Sequence, residues 1–106
     1  GDINRSIADL SGAINLNLKD ASSYFWRGLA YNEKEDYTLA IADFTIAISI
    51  NANAESYVNR GVAYFSKGDY DSAIADYQRA LAINPNLKSA KINLQMANEV
   101  RKNHVT

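Results

Sequence analysis

Two arginines and three aspartates recur along this chain at nearly constant intervals, and their side chains are the ones best suited to specific chemistry. Arg27 and Arg60 stand 33 residues apart, and aspartates occupy positions 9, 43 and 76. A guanidinium group binds a carboxylate through two parallel hydrogen bonds, in structural ion pairs as well as in the recognition of acidic ligands. Because each arginine recurs with an aspartate, we interpret the set as structural ion pairs, with the binding of an acidic ligand as the alternative.

The sequence leaves two pairings of these charges open. The first joins each arginine to the aspartate 16 residues after it, so that Arg27 binds Asp43, Arg60 binds Asp76, and the aspartate at position 9 is left over. The second joins each arginine to the aspartate that precedes it, at position 9 or 43.

Catalytic and metal-binding chemistry finds little support in the chain. His104 is the single histidine, and it lies in a terminal segment, Arg101–Thr106, that we expect to fray. Cysteine is absent, and the 12 carboxylates show no spacing typical of a metal site. The turn at Gly68 is not followed by the glycine and lysine of a phosphate-binding loop. We therefore predict a protein that is not an enzyme and that uses neither a metal nor another cofactor.

Composition argues against two further classes of partner. The formal net charge of −1 provides no excess of basic residues for binding a nucleic acid. No run of 18 or more apolar residues is present, so membrane insertion is not expected. These features are compatible with any compartment and indicate no localisation.

The elements that position these residues are repeated. Residues 24–53 read YFWRGLAYNEKEDYTLAIADFTIAISINAN, and residues 57–86 read YVNRGVAYFSKGDYDSAIADYQRALAINPN, at a constant offset of 33. Within each copy, small and aromatic residues recur at intervals of three and four, which is typical of amphipathic helices. Gly68 suits a left-handed helix end. The pattern predicts two antiparallel helix pairs, which are listed in chain order: about 22–34 with 37–50, and about 55–67 with 70–83.

The flanking segments follow the same pattern and set the predicted organisation of the chain. The opening segment resembles residues 35–51 at an offset of 34 and supplies one helix, at about 3–16. The closing segment predicts a helix over 87–102 that is polar on one face, as a terminal cap requires. The predicted units are the second helix of a truncated repeat with its loop (1–20), two full repeats (21–53 and 54–87), and a capping helix with a frayed tail (88–106).

The two copies resemble the tetratricopeptide repeat, whose signature alternates large aromatic and small residues and ends in proline. The second copy carries it at Tyr57, Gly61, Tyr64, Ala73, Tyr77, Ala80 and Pro85, and the first at Tyr24, Gly28, Tyr31, Ala40, Phe44 and Ala47, with Ala52 in place of the proline. The resemblance implies an all-α fold, a right-handed superhelical stack of antiparallel helix pairs that forms an α-solenoid of about six helices.

The resemblance also implies a function, that of a non-catalytic scaffold for protein–protein interaction. In this family the first helix of each repeat lines a concave groove that binds a partner peptide or helix. We expect Asn59, and by its offset of 34 Asn93, to hold the backbone of a bound segment, because an amide both donates and accepts. The expected groove residues are Phe25, Trp26, Leu29, Asn32, Val58, Asn59, Val62, Phe65, Asn93 and Met96. The alternative is that neighbouring helices cover these side chains.

One subfamily binds the acidic C-terminal tails of chaperones through a clamp of lysine, arginine and asparagine. Asn59 fits one position of that clamp. Phe25 and Leu29 stand where the clamp needs a lysine and an asparagine. The resemblance therefore argues against a chaperone tail as the partner.

Self-association through the N-terminal helix is the alternative function. The opening helix carries Ile3, Ile7, Leu10 and Ile14 with no preceding helix to cover its far side. A second copy of the chain would provide that cover and produce a homo-oligomer.

Overall fold

The computed structural model describes residues 2–104, and every regular element in this range is an α helix. The six helices confirm the all-α fold that the resemblance implied. In chain order they are α1 Asp2–Leu16, α2 Ala21–Glu33, α3 Tyr37–Ile50, α4 Ala54–Ser66, α5 Tyr70–Ile83 and α6 Lys88–His104.

The last helix extends further than the sequence indicated. Because α6 continues to His104, the expectation that the chain frays from Arg101 is wrong for the described part of that segment. Nη1 of Arg101 donates a hydrogen bond to Oδ1 of Asp71 in α5 at 3.0 Å, and Nδ1 of His104 donates to the carbonyl of Val100 at 2.9 Å. The last two residues lie outside the described range.

Helices α2 to α5 each begin at a side-chain oxygen that accepts a backbone N–H of the first turn. Such N-caps satisfy donors that have no partner within the helix, and each typically stabilises a helix by about 1 kcal/mol. The four caps fall at matching positions of the two copies, which is why the helix starts repeat. They are Asp20 and Asp36 in the first copy, and Asn53 and Asp69 in the second.

The ends of α2 and α4 share a turn in which the chain passes through a left-handed conformation. The N–H of Asp36 donates to the carbonyl of Tyr31 at 2.8 Å, and the N–H of Asp69 donates to that of Tyr64 at 2.9 Å. The residue before each aspartate has a positive φ, 66° for Glu35 and 86° for the glycine at position 68. The prediction of a left-handed glycine is therefore confirmed, whereas the strained glutamate at the matching position was not foreseen.

The helices divide at the Ala52–Asn53 junction into two compact units, α1–α3 and α4–α6. In unit 1, the ring of Phe44 packs against Gly28, and Ala40 and Ala47 are buried beside it on α3. In unit 2, the core joins residues of all three helices around the fully buried ring of Tyr77. In both units a glycine lets two helix backbones approach an aromatic ring that fills the space between them.

Each arginine binds the aspartate of its own helix pair. Nε and Nη2 of Arg27 donate to the two carboxylate oxygens of Asp43, both at 2.7 Å. The same nitrogens of Arg60 donate to Asp76, both at 2.8 Å. Hydrogen bonding to the carboxylates raises the pKa of each guanidinium group by more than burial lowers it. The structure thus selects the first of the two pairings, leaves Asp9 exposed, and agrees with a structural role for the arginines.

Tyrosine rings flank both guanidinium groups and contribute cation–π attraction. The distances from Cζ to the ring centroids are 5.8 and 6.0 Å for Arg27 with Tyr24 and Tyr31, and 5.6 and 5.9 Å for Arg60 with Tyr57 and Tyr64.

Candidate functional site

A cleft of about 400 Å³ opens between α4 and α6 in unit 2. We name it the α4–α6 cleft. It brings together four of the predicted groove residues, two valines and two asparagines that lie far apart in the sequence. The seven lining residues are Glu55, Val58, Asn59, Val62, Leu87, Ser89 and Asn93.

The floor of the α4–α6 cleft is apolar and its polar groups are amides and a hydroxyl. Val58 is buried and belongs to the core of unit 2, whereas Val62 is only partly covered. Nδ2 of Asn59 donates to the carbonyl of Glu55, one turn earlier in α4, at 2.9 Å. To hold the backbone of a ligand, Asn59 has to exchange this bond within its own helix for one to the ligand. The arrangement suits binding of an uncharged segment and contains no nucleophile paired with a base.

Two other predicted residues of unit 2 lie outside this cleft. The ring of Phe65 packs against Tyr70, with ring centroids 5.2 Å apart, and is partly covered by the core of the unit. Met96 is 45% exposed on α6. The sequence pattern assigned both residues to the face of the cleft because it registers helical position and not the packing of neighbouring helices.

In unit 1, two predicted residues line a second cleft of about 350 Å³, between α1 and α2. We name it the α1–α2 cleft. Trp26 is 57% exposed there and Leu29 is partly covered. The sequence reasoning did not assign Ser6 or Ala30 to a site, although each stands 67 residues before a core alanine of unit 2. The lining residues are Ser6, Leu10, Trp26, Leu29, Ala30 and Glu33.

The remaining predicted residues of unit 1 contribute partly to its interior. Phe25 packs against the small core cluster of this unit, and its ring meets those of Trp26 and Phe44 edge to face at 5.4 and 5.9 Å. Asn32 is half-buried near the end of α2. Phe25 therefore supports the neighbouring tryptophan as well as offering a surface of its own.

The apolar stripe of α1 is only partly uncovered. Ile14 is buried against Tyr24 and Ala47, so the expectation that it lies on an uncovered face is wrong. The helix α2, which follows α1 in the chain, covers that part of the stripe. Ile3, Ile7 and Leu10 remain half-buried, and Leu16 at the end of the helix is 90% exposed.

A third cleft, of about 380 Å³, lies between α5 and α6 and was not predicted. Its lining mixes apolar residues with opposite charges at Lys91 and Glu99. Leu94, on its wall, stands 34 residues after Arg60, so the ion pair of the preceding copy has no counterpart here. The loss of that arginine was the sequence signal for an altered surface on the last helix.

Residues 2–104 contain neither a grouping of three or more His, Asp or Glu side chains placed to hold a metal ion nor a helix long and apolar enough to cross a bilayer.

Comparison with known proteins places this architecture in one family. Family models described as tetratricopeptide repeat match residues 21–53 and 54–87. Among curated protein sequences, none is significantly similar to the chain. Many solved structures are similar, and three of them illustrate the range.

The TPR domain of OM64 from Arabidopsis is 31% identical, with a TM-score of 0.89 over 92% of this chain and 82% of that one. The second TPR domain of human RPAP3, in complex with the HSP70 peptide SGPTIEEVD, is 25% identical, with a TM-score of 0.88 over 92% of this chain and 82% of that one. The first TPR of Spaghetti (RPAP3), bound to the HSP90 peptide SRMEEVD, is 22% identical and shares the fold, with a TM-score of 0.93 over 96% and 82%. On the strength of both repeat matches and the similarity to the OM64 domain, this chain belongs to the tetratricopeptide repeat family.

Proposed function

We propose that this chain is a non-catalytic scaffold that binds a segment of a partner protein in the α4–α6 cleft. The family and its peptide-bound neighbours support a protein-interaction scaffold in general. The observation that carries the finer proposal is the position of Asn59 and Asn93 beside the apolar floor formed by Val58 and Val62. Amides next to an apolar surface suit a backbone whose side chains are partly buried.

The recognition step follows from the bond that Asn59 already makes. Its amide group is held by the carbonyl of Glu55 and is therefore oriented along α4 before a ligand arrives. An incoming peptide group replaces one polar partner with another, so the net gain per hydrogen bond is modest, about 1 kcal/mol. Most of the affinity then comes from burial of apolar surface at Val62 and Leu87 and from a few anchoring side chains.

The charge of the cleft constrains the partner. Of its seven lining residues, only Glu55 is charged, and none is a lysine or an arginine. An acidic tail of the kind bound by the human RPAP3 domain would meet a carboxylate without a compensating cation. We therefore propose that the bound segment is uncharged or basic. Six further residues remain predicted partner contacts that this proposal does not require: Phe25, Trp26, Leu29, Asn32, Phe65 and Met96.

Replacing Val62 with arginine tests the site. The Val62→Arg variant is expected to lose the partner in a pull-down from source-cell lysate read by mass spectrometry, because a charged side chain then fills the apolar floor. Ile83→Arg is the matched control, since Ile83 is an exposed apolar residue of α5 that does not line the cleft. A protein captured by wild type and Ile83→Arg and lost with Val62→Arg supports the proposal. If all three capture the same proteins, the α4–α6 cleft is not the working surface.

Self-association is the second candidate function. The exposure of Leu16 and Leu18, two leucines at the end of α1, favours it. Burial of these side chains and of Ile3 and Ile7 between two copies would remove apolar surface from water. Light scattering from micromolar to millimolar concentration tests this function, and a mass that stays monomeric throughout would exclude it.

A further inference from the structure

The α1–α2 cleft of unit 1 corresponds, position by position, to a buried surface in unit 2. An offset of 67 residues relates α1 to α5 and α2 to α6, so that Leu10 matches Tyr77 and Ala30 matches Ala97. Tyr77 and Ala97 are 1% and 0% exposed, within the core that α4 shares with α5 and α6. Leu10 and Ala30 are instead partly open to solvent and line the cleft.

Unit 2 therefore shows what kind of object covers this surface. There the covering element is the helix α4, which places Gly61 against the ring of Tyr77 and an aromatic residue one turn to each side, at positions 57 and 64. In unit 1 the matching wall is formed by Leu10 and the exposed Trp26. A helix with a small residue opposite Leu10 can approach this wall in the way that α4 approaches α5.

Charge at one end of the cleft sets the direction of such a helix. Ser6 near the start of α1 and Glu33 at the end of α2 line the same cleft, because the two helices are antiparallel. Asp2 opens α1 at this end, next to that carboxylate along the bundle. In unit 2, α4 runs antiparallel to α5 and is followed at its corresponding end by Lys67. A docked helix of the same orientation thus places its C-terminal end beside two carboxylates, which favours a basic residue there.

We propose that the α1–α2 cleft binds an amphipathic helix of a partner protein. The helix has a glycine or alanine facing Leu10, a large apolar residue one turn to each side, and a lysine or arginine at its C-terminal end. The site goes beyond the proposed function, because it uses none of the residues that line the α4–α6 cleft and takes a helix in place of a segment held by its backbone.

A peptide with the sequence of residues 53–68, NAESYVNRGVAYFSKG, acetylated and amidated at its ends, is the probe because it carries the required pattern. Trp26 is the only tryptophan of the chain and lines the cleft, so its emission reports binding directly. The expected result is a saturable blue shift of this emission. A peptide carrying Gly61→Leu should give no shift, since the added side chain meets Leu10.

Protein variants locate the site. Leu10→Asp should weaken the peptide roughly tenfold or more, whereas Leu16→Asp, on the same helix but outside the cleft, should bind as wild type. If Leu10→Asp does not fold, as judged by circular dichroism, a charge exchange replaces it. Glu33→Lys should weaken the peptide about two- to fivefold, and a peptide with Lys67→Glu should restore binding to that variant.

The proposal is overturned by the absence of a saturable shift, or by equal affinity of wild type and both cleft variants. It is also overturned if sedimentation shows a dimer that Leu10→Asp dissociates and that the peptide disrupts, because the occupant is then a second copy. Val62→Arg leaves this cleft intact and should bind the peptide normally, so failure of the proposed function and failure of this inference are distinguishable.

Discussion

Gly61 and Tyr77 approach so closely that a Cβ atom built on the glycine would lie 2.6 Å from Cε1 of the tyrosine ring. The ring is fully buried and has no room to retreat. Gly61→Ala should therefore lower the free energy of unfolding by about 1–3 kcal/mol, despite the better helix propensity of alanine. Gly12 provides the control, since a Cβ there meets nothing within 4 Å and Gly12→Ala should raise stability by up to about 1 kcal/mol. Urea unfolding followed by circular dichroism measures both, and equal shifts would contradict the packing argument.

The buried carboxylate of Asp76 should contribute far more than an exposed one. It is 0% exposed and accepts hydrogen bonds from Arg60 and Arg79. Asp76→Asn leaves the mostly buried Arg60 guanidinium without a counter-charge and should cost about 3 kcal/mol. Asp71, which is 82% exposed and pairs with an arginine on α6, is the control, and Asp71→Asn should change stability by less than about 1 kcal/mol. A loss at Asp76 no larger than that at Asp71 would contradict this account.

The left-handed conformation of Glu35 is a local source of instability that substitution can remove. Glycine adopts a φ of 66° without the steric conflict of a Cβ, so Glu35→Gly should raise the free energy of unfolding by about 1 kcal/mol. Gly68→Ala, at the matching position, should lower it by a similar amount. Thermal unfolding of the two variants provides the comparison, and shifts of the same sign would refute the prediction.

The hydroxyl of Ser56 is buried and, within residues 2–104, has no hydrogen-bond partner. Ser23, at the matching position, donates to Oδ2 of the N-cap Asp20 at 2.8 Å, whereas the N-cap of α4 is Asn53. Ser56→Ala should thus leave stability unchanged or raise it by about 1 kcal/mol, and Ser23→Ala should lower it by about 1 kcal/mol. Chemical denaturation of both variants tests the difference. A larger loss at Ser56 than at Ser23 would show that its hydroxyl is satisfied.

The phenol of Tyr77 should make stability depend on alkaline pH. Burial, with a smaller contribution from Asp76, raises the pKa of Tyr77 to about 12, above the value of about 10 for an unfolded tyrosine. A pKa raised on folding favours the neutral phenol, so its contribution is complete below pH about 10 and is lost as the pH rises toward about 12. Tyr77→Phe, which copies Phe44 of the first copy, should show a smaller loss over this range. Parallel curves for the two proteins would contradict the prediction.

The candidate sites were predictable only in part. Helical register correctly brought Val58, Asn59, Val62 and Asn93 to one cleft, because all four face the same way along two neighbouring first helices. Register alone did not reveal that the amide of Asn59 is bonded within its helix or that Trp26 shares a cleft with α1. Such details depend on side-chain packing between elements, which a spacing pattern does not encode.

By itself, the sequence determined the helices, their starts and their pairing. Caps, left-handed glycines and the spacing of small and aromatic residues act over a few residues, and the 33-residue offset repeats them. The tertiary structure alone decided between the two pairings of Arg27 and Arg60, because both aspartates lie at similar separations along the chain. It also decided that Leu10 is open where Tyr77 is buried. Burial depends on which helix packs against a surface, and residues at equivalent positions of a repeat differ in their neighbours.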